Sequence, residues 1–215
     1  NNTYAVEGVD VSEYQGAIDW QQVAASGKSF VFVRALSFRG GMHIDPYFYT
    51  NVRGAKAAGL KVGVYYYTYA IDENEVIGEL AMVKEAMAVM ENEGLRFDYP
   101  VCVDMEGNTY IDTLSRQRAT DLMKYALTIL YQSGYYPMIY TYRNFANTRL
   151  YMDQLADFDF WIAEYNSQVN YSGRYSIWQY SSRGIVPGLS ENADLNRSYM
   201  AYDLLIRDGG YNKWK

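Results

Sequence analysis

Asp104 and Glu106 lie two positions apart at the end of a short apolar run, Tyr99-Pro100-Val101-Cys102-Val103-Asp104-Met105-Glu106. In a strand alternate side chains share a face, so Val101, Val103 and Met105 point one way and Cys102, Asp104 and Glu106 the other. Carboxylates are seldom buried without partners. Placing two on one face of a strand end costs free energy through desolvation and mutual repulsion, which raises the pKa of at least one of them. A carboxyl that holds its proton toward neutral pH can serve as a general acid. An isolated Asp-x-Glu is more often a strand edge entering water, so the elements around it decide between the two readings.

Those elements alternate. Strand-like runs at 5–11, 30–36, 61–69, 99–106 and 136–142 are separated by helical stretches near 19–25, after 45–46, from 72 to 93, over 115–132 and around 148–155. Asp45-Pro46 reads as a helix start and Gly59 as its stop. Asp72 and Glu75 have the spacing of a capping box, and Gly134 ends the helix over 115–132. After residue 155 the helices cease, and 158–165, 175–180 and 193–198 read as bare strands. The expected fold is α/β: a modified TIM-like barrel of five strand–helix units followed by about three strands without helices, forming one domain over 1–215.

Strand parity sharpens the expectation. Gly8, Asp10 and Ser12 share a face, as do Phe32 and Arg34, then Tyr65, Tyr67 and Tyr69, and then Trp161, Ala163 and Tyr165. Asp10, Arg34, Tyr67, Glu106 and Tyr165 fall toward the C-terminal ends of their strands, where barrels of this kind carry their active sites. Each residue alone is what a strand end ordinarily shows; several strands delivering polar or aromatic groups to one rim is less ordinary.

The totals exclude several classes. The chain has 215 residues, 49% hydrophobic and 20% charged, with a formal net charge of −6. That balance, with no basic cluster, argues against a nucleic-acid partner. No apolar run is long enough to span a membrane. A single cysteine and a single histidine leave no internal disulfide, no thiol–histidine nucleophile and no zinc site, and no metal or other cofactor is expected. Cys102, between valines, reads as a small buried hydrophobe. The 24 tyrosines suit sugar rings as well as ordinary cores.

The order of short motifs resembles the family 25 glycoside hydrolases, the Chalaropsis-type lysozymes, over nearly the whole chain. The pieces are Gly8-Val9-Asp10-Val11-Ser12 with Tyr14-Gln15-Gly16 and Ile18-Asp19-Trp20, then Phe30-Val31-Phe32-Val33-Arg34-Ala35, Ala57-Ala58-Gly59-Leu60 and Val62-Gly63-Val64-Tyr65. They continue with Val103-Asp104-Met105-Glu106, Trp161-Ile162-Ala163-Glu164-Tyr165, Trp178-Gln179-Tyr180 and Ala193-Asp194-Leu195-Asn196. Two places depart from the family pattern: Tyr66 stands where histidine is frequent, and the segment 37–44, with Arg39-Gly40-Gly41, fits poorly.

The resemblance implies cleavage of the β-1,4 bond between N-acetylmuramic acid and N-acetylglucosamine in bacterial cell-wall peptidoglycan, by a monomer acting outside the cell or at the wall. It implies catalytic positions Asp10, Asp104, Glu106 and Asp194. Glu106 is assigned as the acid, its pKa raised by like-charge repulsion from Asp104. Asp10 and Asp194 support positive charge at the anomeric carbon or orient the substrate acetamide. Arg34 is expected to pair with one of the acids. Arg34, Tyr65, Tyr67, Trp161, Tyr165, Trp178 and Gln179 are the candidate substrate-binding residues. The rival readings are a barrel that binds peptidoglycan without cutting it and a chitinase-like glycosidase.

Overall fold

A computed structural model describes residues 3–215. Strand β1 (Val6–Val11) leads through a 3-10 turn at Glu13–Gln15 into α1 (Trp20–Ala25). Strand β2 (Phe30–Arg34) is followed by a hairpin of β3 (Leu36–Ser37) and β4 (His43–Ile44), then by α2 (Phe48–Ala57). Next come β5 (Lys61–Tyr67), α3 (Glu73–Asn92), β6 (Val101–Asp104), α4 (Arg116–Gln132), β7 (Pro137–Tyr142) and α5 (Arg143–Arg149). Strands β8 (Asp159–Ala163), β9 (Ile177–Gly184) and β10 (Ala193–Ser198) follow without helices between them, and α6 (Tyr202–Gly209) ends the fold. Eight strands close a barrel in the order β1-β10-β9-β8-β7-β6-β5-β2, as the α/β expectation required. Every neighbouring pair is parallel except those of β10, which runs antiparallel to β1 and β9.

Period-2 alternation divides the apolar residues into two layers. Val9, Val31, Val33, Val62, Val64, Val101, Val103 and Ile139 face outward and pack under the helices. Helix α3 meets them with Val76, Leu80, Val83, Met87 and Met90, spaced three and four apart as an amphipathic helix requires. Phe30, Phe32, Tyr99, Cys102, Met138, Tyr140 and Trp161 face inward and fill the barrel. Phe32 stacks on Trp161 at 4.3 Å, and Phe30 on Tyr99 at 4.7 Å. Two inward positions must be glycine for this filling. A Cβ on Gly8 would meet the Phe30 ring at 2.6 Å, and one on Gly63 the Phe32 ring at 2.4 Å.

Several local expectations change. Asp45 does not cap α2, which begins at Phe48 with Tyr47 in the cap position and no side-chain cap bond. Its carboxylate instead takes the Arg34 guanidinium at 2.8 Å and the backbone N–H groups of Glu13 and Tyr47. A buried charge is satisfied first by an opposite charge, and that outweighs a helix cap. Asp72 does cap α3 by accepting from Glu75 N–H at 2.8 Å, but the Glu75 carboxylate closes on Ile71 N–H, one residue outside the expected box. The short helix expected around 148–155 splits into α5 and a 3-10 turn at Met152–Leu155. The second strand stops at Arg34, and 36–44 forms the β3–β4 hairpin over the rim. Among the described residues no helix is long and apolar enough to cross a membrane.

Candidate active site

The four acids meet at the C-terminal rim of the parallel strands. Asp10 on β1 and Asp194 on β10 are directly paired in the antiparallel register. Asp104 is the last residue of β6, beside Tyr67 of β5 and Tyr140 of β7. Glu106 lies two residues past the strand end and is more exposed than Asp104. Asp10, Asp194 and Tyr65 line a cleft of about 290 Å³ together with Ser12, Tyr14 and Gln15.

Asp10 is held from several sides. Its Oδ2 accepts from Gln179 Nε2 at 2.8 Å and Asn196 Nδ2 at 2.9 Å. The indole N–H of Trp161, which can only donate, reaches Asn196 Oδ1 at 2.8 Å. That contact fixes the Asn196 amide so that its NH2 must face Asp10. The hydroxyls of Tyr140 and Tyr165 donate to Gln179 Oε1 at 2.6 and 2.7 Å and orient the second amide likewise.

Burial raises the pKa of all four carboxyls. Asp10 is pushed well above the usual carboxylate range by desolvation, then by the charge of Asp194 and by a hydrogen bond that Asp10 donates to it. Asp194 is raised by desolvation, and the bond from Asp10 opposes that rise. Asp104 is likewise pushed well above its ordinary range, by desolvation and then by the charge of Glu106, to which it donates a hydrogen bond. Glu106 is raised by desolvation and by the charge of Asp194, while the bond from Asp104 lowers it. The four acids therefore stand as two close pairs, Asp10 with Asp194 and Asp104 with Glu106, and in each pair burial raises the more deeply buried member further.

Asp104 and Glu106 act on each other in two ways: like-charge repulsion raises Asp104, and the hydrogen bond between them opposes the rise that burial gives Glu106. Asp104 Oδ1 is buried and accepts no hydrogen bond from an N–H or hydroxyl group among the described residues.

The other candidate residues divide. Tyr65 and Tyr67 point to the acids. Burial and the charge of Asp10 push the Tyr65 hydroxyl up, and the Tyr67 hydroxyl is pushed up to about 12, chiefly by burial and partly by the charges of Glu106 and Asp104. Tyr165, 54% exposed, stands at the mouth. Gln179 belongs to the network that holds Asp10. Trp161 lies in the barrel floor, 1% exposed, so it supports the site through Asn196 and offers no face to a sugar. Trp178 packs in the outer layer and donates to the Glu164 carbonyl at 2.8 Å, away from the acids. Arg34 pairs with Asp45 and, at 3.5 Å, with Glu13, not with any of the four acids. Tyr140 and Asn196 escaped the sequence reading, although parity marks both: Asn196 is two residues from Asp194, and Tyr140 faces inward with Met138.

A mostly parallel barrel with clustered carboxyls at its C-terminal rim holds the groups that glycoside hydrolysis uses. The chain belongs to the glycosyl hydrolases family 25, whose model matches residues 9–189. Asp194 lies beyond the matched segment and enters the site through its strand pairing with Asp10. The chain is 31% identical over 192 residues to the autolytic lysozyme of Clostridium acetobutylicum, across 89% of this chain and 55% of that protein. The modular autolysin LytC of Streptococcus pneumoniae, solved in complex with a synthetic peptidoglycan ligand, superposes with a TM-score of 0.78 at 25% identity, over 90% of this chain and 46% of that one. A family 25 glycosyl hydrolase from Bacillus anthracis shares the fold, with a TM-score of 0.73 at 20% identity over 99% of this chain and 95% of that one. The chain thus spans about half the length of the autolytic relatives it matches.

Proposed function

We propose that the protein hydrolyses the β-1,4 bond between N-acetylmuramic acid and N-acetylglucosamine in peptidoglycan, at the bacterial cell wall and outside the membrane, acting as a monomer through one catalytic domain over 1–215. The observation that carries this reading is the meeting at one rim of Asp10 from β1, Asp194 from β10, and Asp104 and Glu106 from the end of β6, all four raised in pKa by burial.

Glu106 is the general acid. It is the more exposed member of its pair, so a sugar bound over it removes water from it more than from Asp104, which is already buried. Desolvation favours the neutral carboxyl, and the shared proton passes across the hydrogen bond from Asp104 to Glu106. Glu106 delivers it to the leaving glycosidic oxygen and then acts as base toward the incoming water. Asp194 faces the positive charge that develops at the anomeric carbon and orients the nucleophile, whether an aspartate oxygen or the substrate's own acetamide oxygen. Asp10 is tied to two amides and to Asp194, which makes it the anchor of that pair.

Glu106→Gln keeps the shape of the site and removes the transferable proton. Reducing-end release from purified walls should fall by about 10²–10⁴ with the melting temperature little changed. A variant that retained most of its activity would refute the assignment of the acid. Wild-type protein that binds walls and releases no reducing ends would be a binding barrel, and faster cleavage of chitin oligomers than of walls would favour the chitinase-like reading.

A further inference from the structure

The β3–β4 hairpin carries the segment 37–44, which departs from the family pattern, and it walls a second cleft beside the acids. This cleft is about 710 Å³ and is lined by Tyr14, Arg34, Phe38, Arg39, Tyr47 and Tyr69, among others. Tyr14, 66% exposed, borders both this cleft and the one holding Asp10 and Asp194. On the other flank Phe38 packs on Tyr69 at 4.4 Å, and Tyr69 packs edge-on to Tyr67 at 4.9 Å, next to the Asp104–Glu106 pair. A polymer lying across the acids therefore runs beside this pocket.

The two arginines of the pocket differ. Arg34 is neutralised by Asp45 and Glu13. Arg39 is exposed, and among the described residues its guanidinium makes no ion pair or hydrogen bond. Its backbone is pinned, since Arg39 N–H donates to Ser37 Oγ and Gly41 N–H to the Phe38 carbonyl. An uncompensated guanidinium on a fixed turn, at the edge of an acidic cleft in a chain of net charge −6, is matched in shape and charge to a carboxylate. Muramic acid differs from glucosamine by a 3-O-lactyl branch, which ends in a carboxylate or continues into a peptide with carboxylates of its own.

We propose that the hairpin pocket receives this carboxylate-bearing branch, with Arg39 binding the carboxylate and Phe38 and Tyr69 packing the apolar part. Arg39 then selects substituted glycan over plain amino-sugar polymer. The inference rests on the peptidoglycan reading above.

Three purified glycan preparations test it. One bears peptides with free carboxylates, one has the same peptides with those carboxylates amidated, and one has its peptides removed so that the lactyl carboxylate is free. Arg39→Ala should raise KM about three- to tenfold on a preparation carrying the recognised carboxylate, with kcat unchanged, and should match wild type on the amidated one. Arg39→Lys should recover part of the loss. A rise on the peptide-bearing glycan alone identifies the peptide carboxylates as the ligand; a rise on the stripped glycan alone identifies the lactyl carboxylate. Equal KM for Arg39→Ala and wild type on both free-carboxylate glycans, or an equal rise on all three, overturns the inference while leaving the hydrolase intact. Wild type that cleaves none of the three overturns the functional reading itself. Arg39 is exposed, and an unchanged melting temperature confirms that the variants are folded.

Discussion

The two carboxyl pairs at the barrel mouth have the same chemistry and different frames. Asp10 and Asp194 sit opposite each other in hydrogen-bonded strands, so the backbone ladder sets their separation. Two amides hold Asp10 further, and each amide is oriented by an aromatic donor. Asp104 and Glu106 are joined by the segment that leaves β6, and among the described residues no N–H or hydroxyl group donates to Asp104 Oδ1. A braced pair keeps a charge in a fixed place. A pair in which the buried member is braced less and the other is open to ligand lets a proton move when water is displaced. The frame around each carboxyl, more than its identity, separates electrostatic support from acid catalysis.

Substitutions can break that contrast. Asp104→Asn should have the largest effect short of removing Glu106 itself. In wild type the coupled pair keeps one proton to a higher pH than a lone carboxyl would. The amide still donates to Glu106 but has no proton to pass on, so Glu106 ionises at lower pH. Activity depends on the protonated form and is lost as pH rises, so the alkaline limb of the kcat profile should move to more acidic pH, with kcat near neutrality down about 10–100-fold. An unmoved limb would show that the two acids do not share a proton.

Gln179→Leu tests the braced pair. It removes one donor to Asp10 and leaves the Tyr140 and Tyr165 hydroxyls without their acceptor. Stability should fall by about 1–3 kcal/mol in chemical denaturation, and activity by roughly tenfold. Because the Asp104–Glu106 pair is untouched, the alkaline limb should stay in place. A shifted limb would mean that the pairs act as one unit.

Tyr66→Phe should have the smallest effect. Tyr66 is in the outer layer with its hydroxyl buried and unpartnered. Removing that hydroxyl should leave wall clearing unchanged and stability equal or higher by up to about 1 kcal/mol. Reduced activity would show that the outer layer reaches the site.

Much of the site could be read from parity. Asp10, Tyr65, Tyr67, Asp104 and Trp161 all face inward as alternation required. Parity also contained two answers that the motif reading passed over. Trp178 lies between inward-facing Ile177 and Gln179 and so must face outward, and Tyr140 must face inward beside Asp104. Arg34 was harder, because its partner Asp45 comes from beyond the rim hairpin, and only the folded hairpin brings the two within 2.8 Å. Trp161 faces the right way but lies one layer too deep, and alternation gives a side chain's direction without its depth.

The sequence by itself determined the closed α/β barrel and the face on which each strand residue lies, because both follow from periodicities of two and about 3.6 written into the order of apolar residues. Only the tertiary structure decided which acid is buried most deeply, which arginine is left without a counter-ion and which aromatic rings are open to a ligand. Those properties depend on burial and on neighbours brought from distant parts of the chain. The energies of charges and hydrogen bonds are set by that surrounding medium, not by the residue alone.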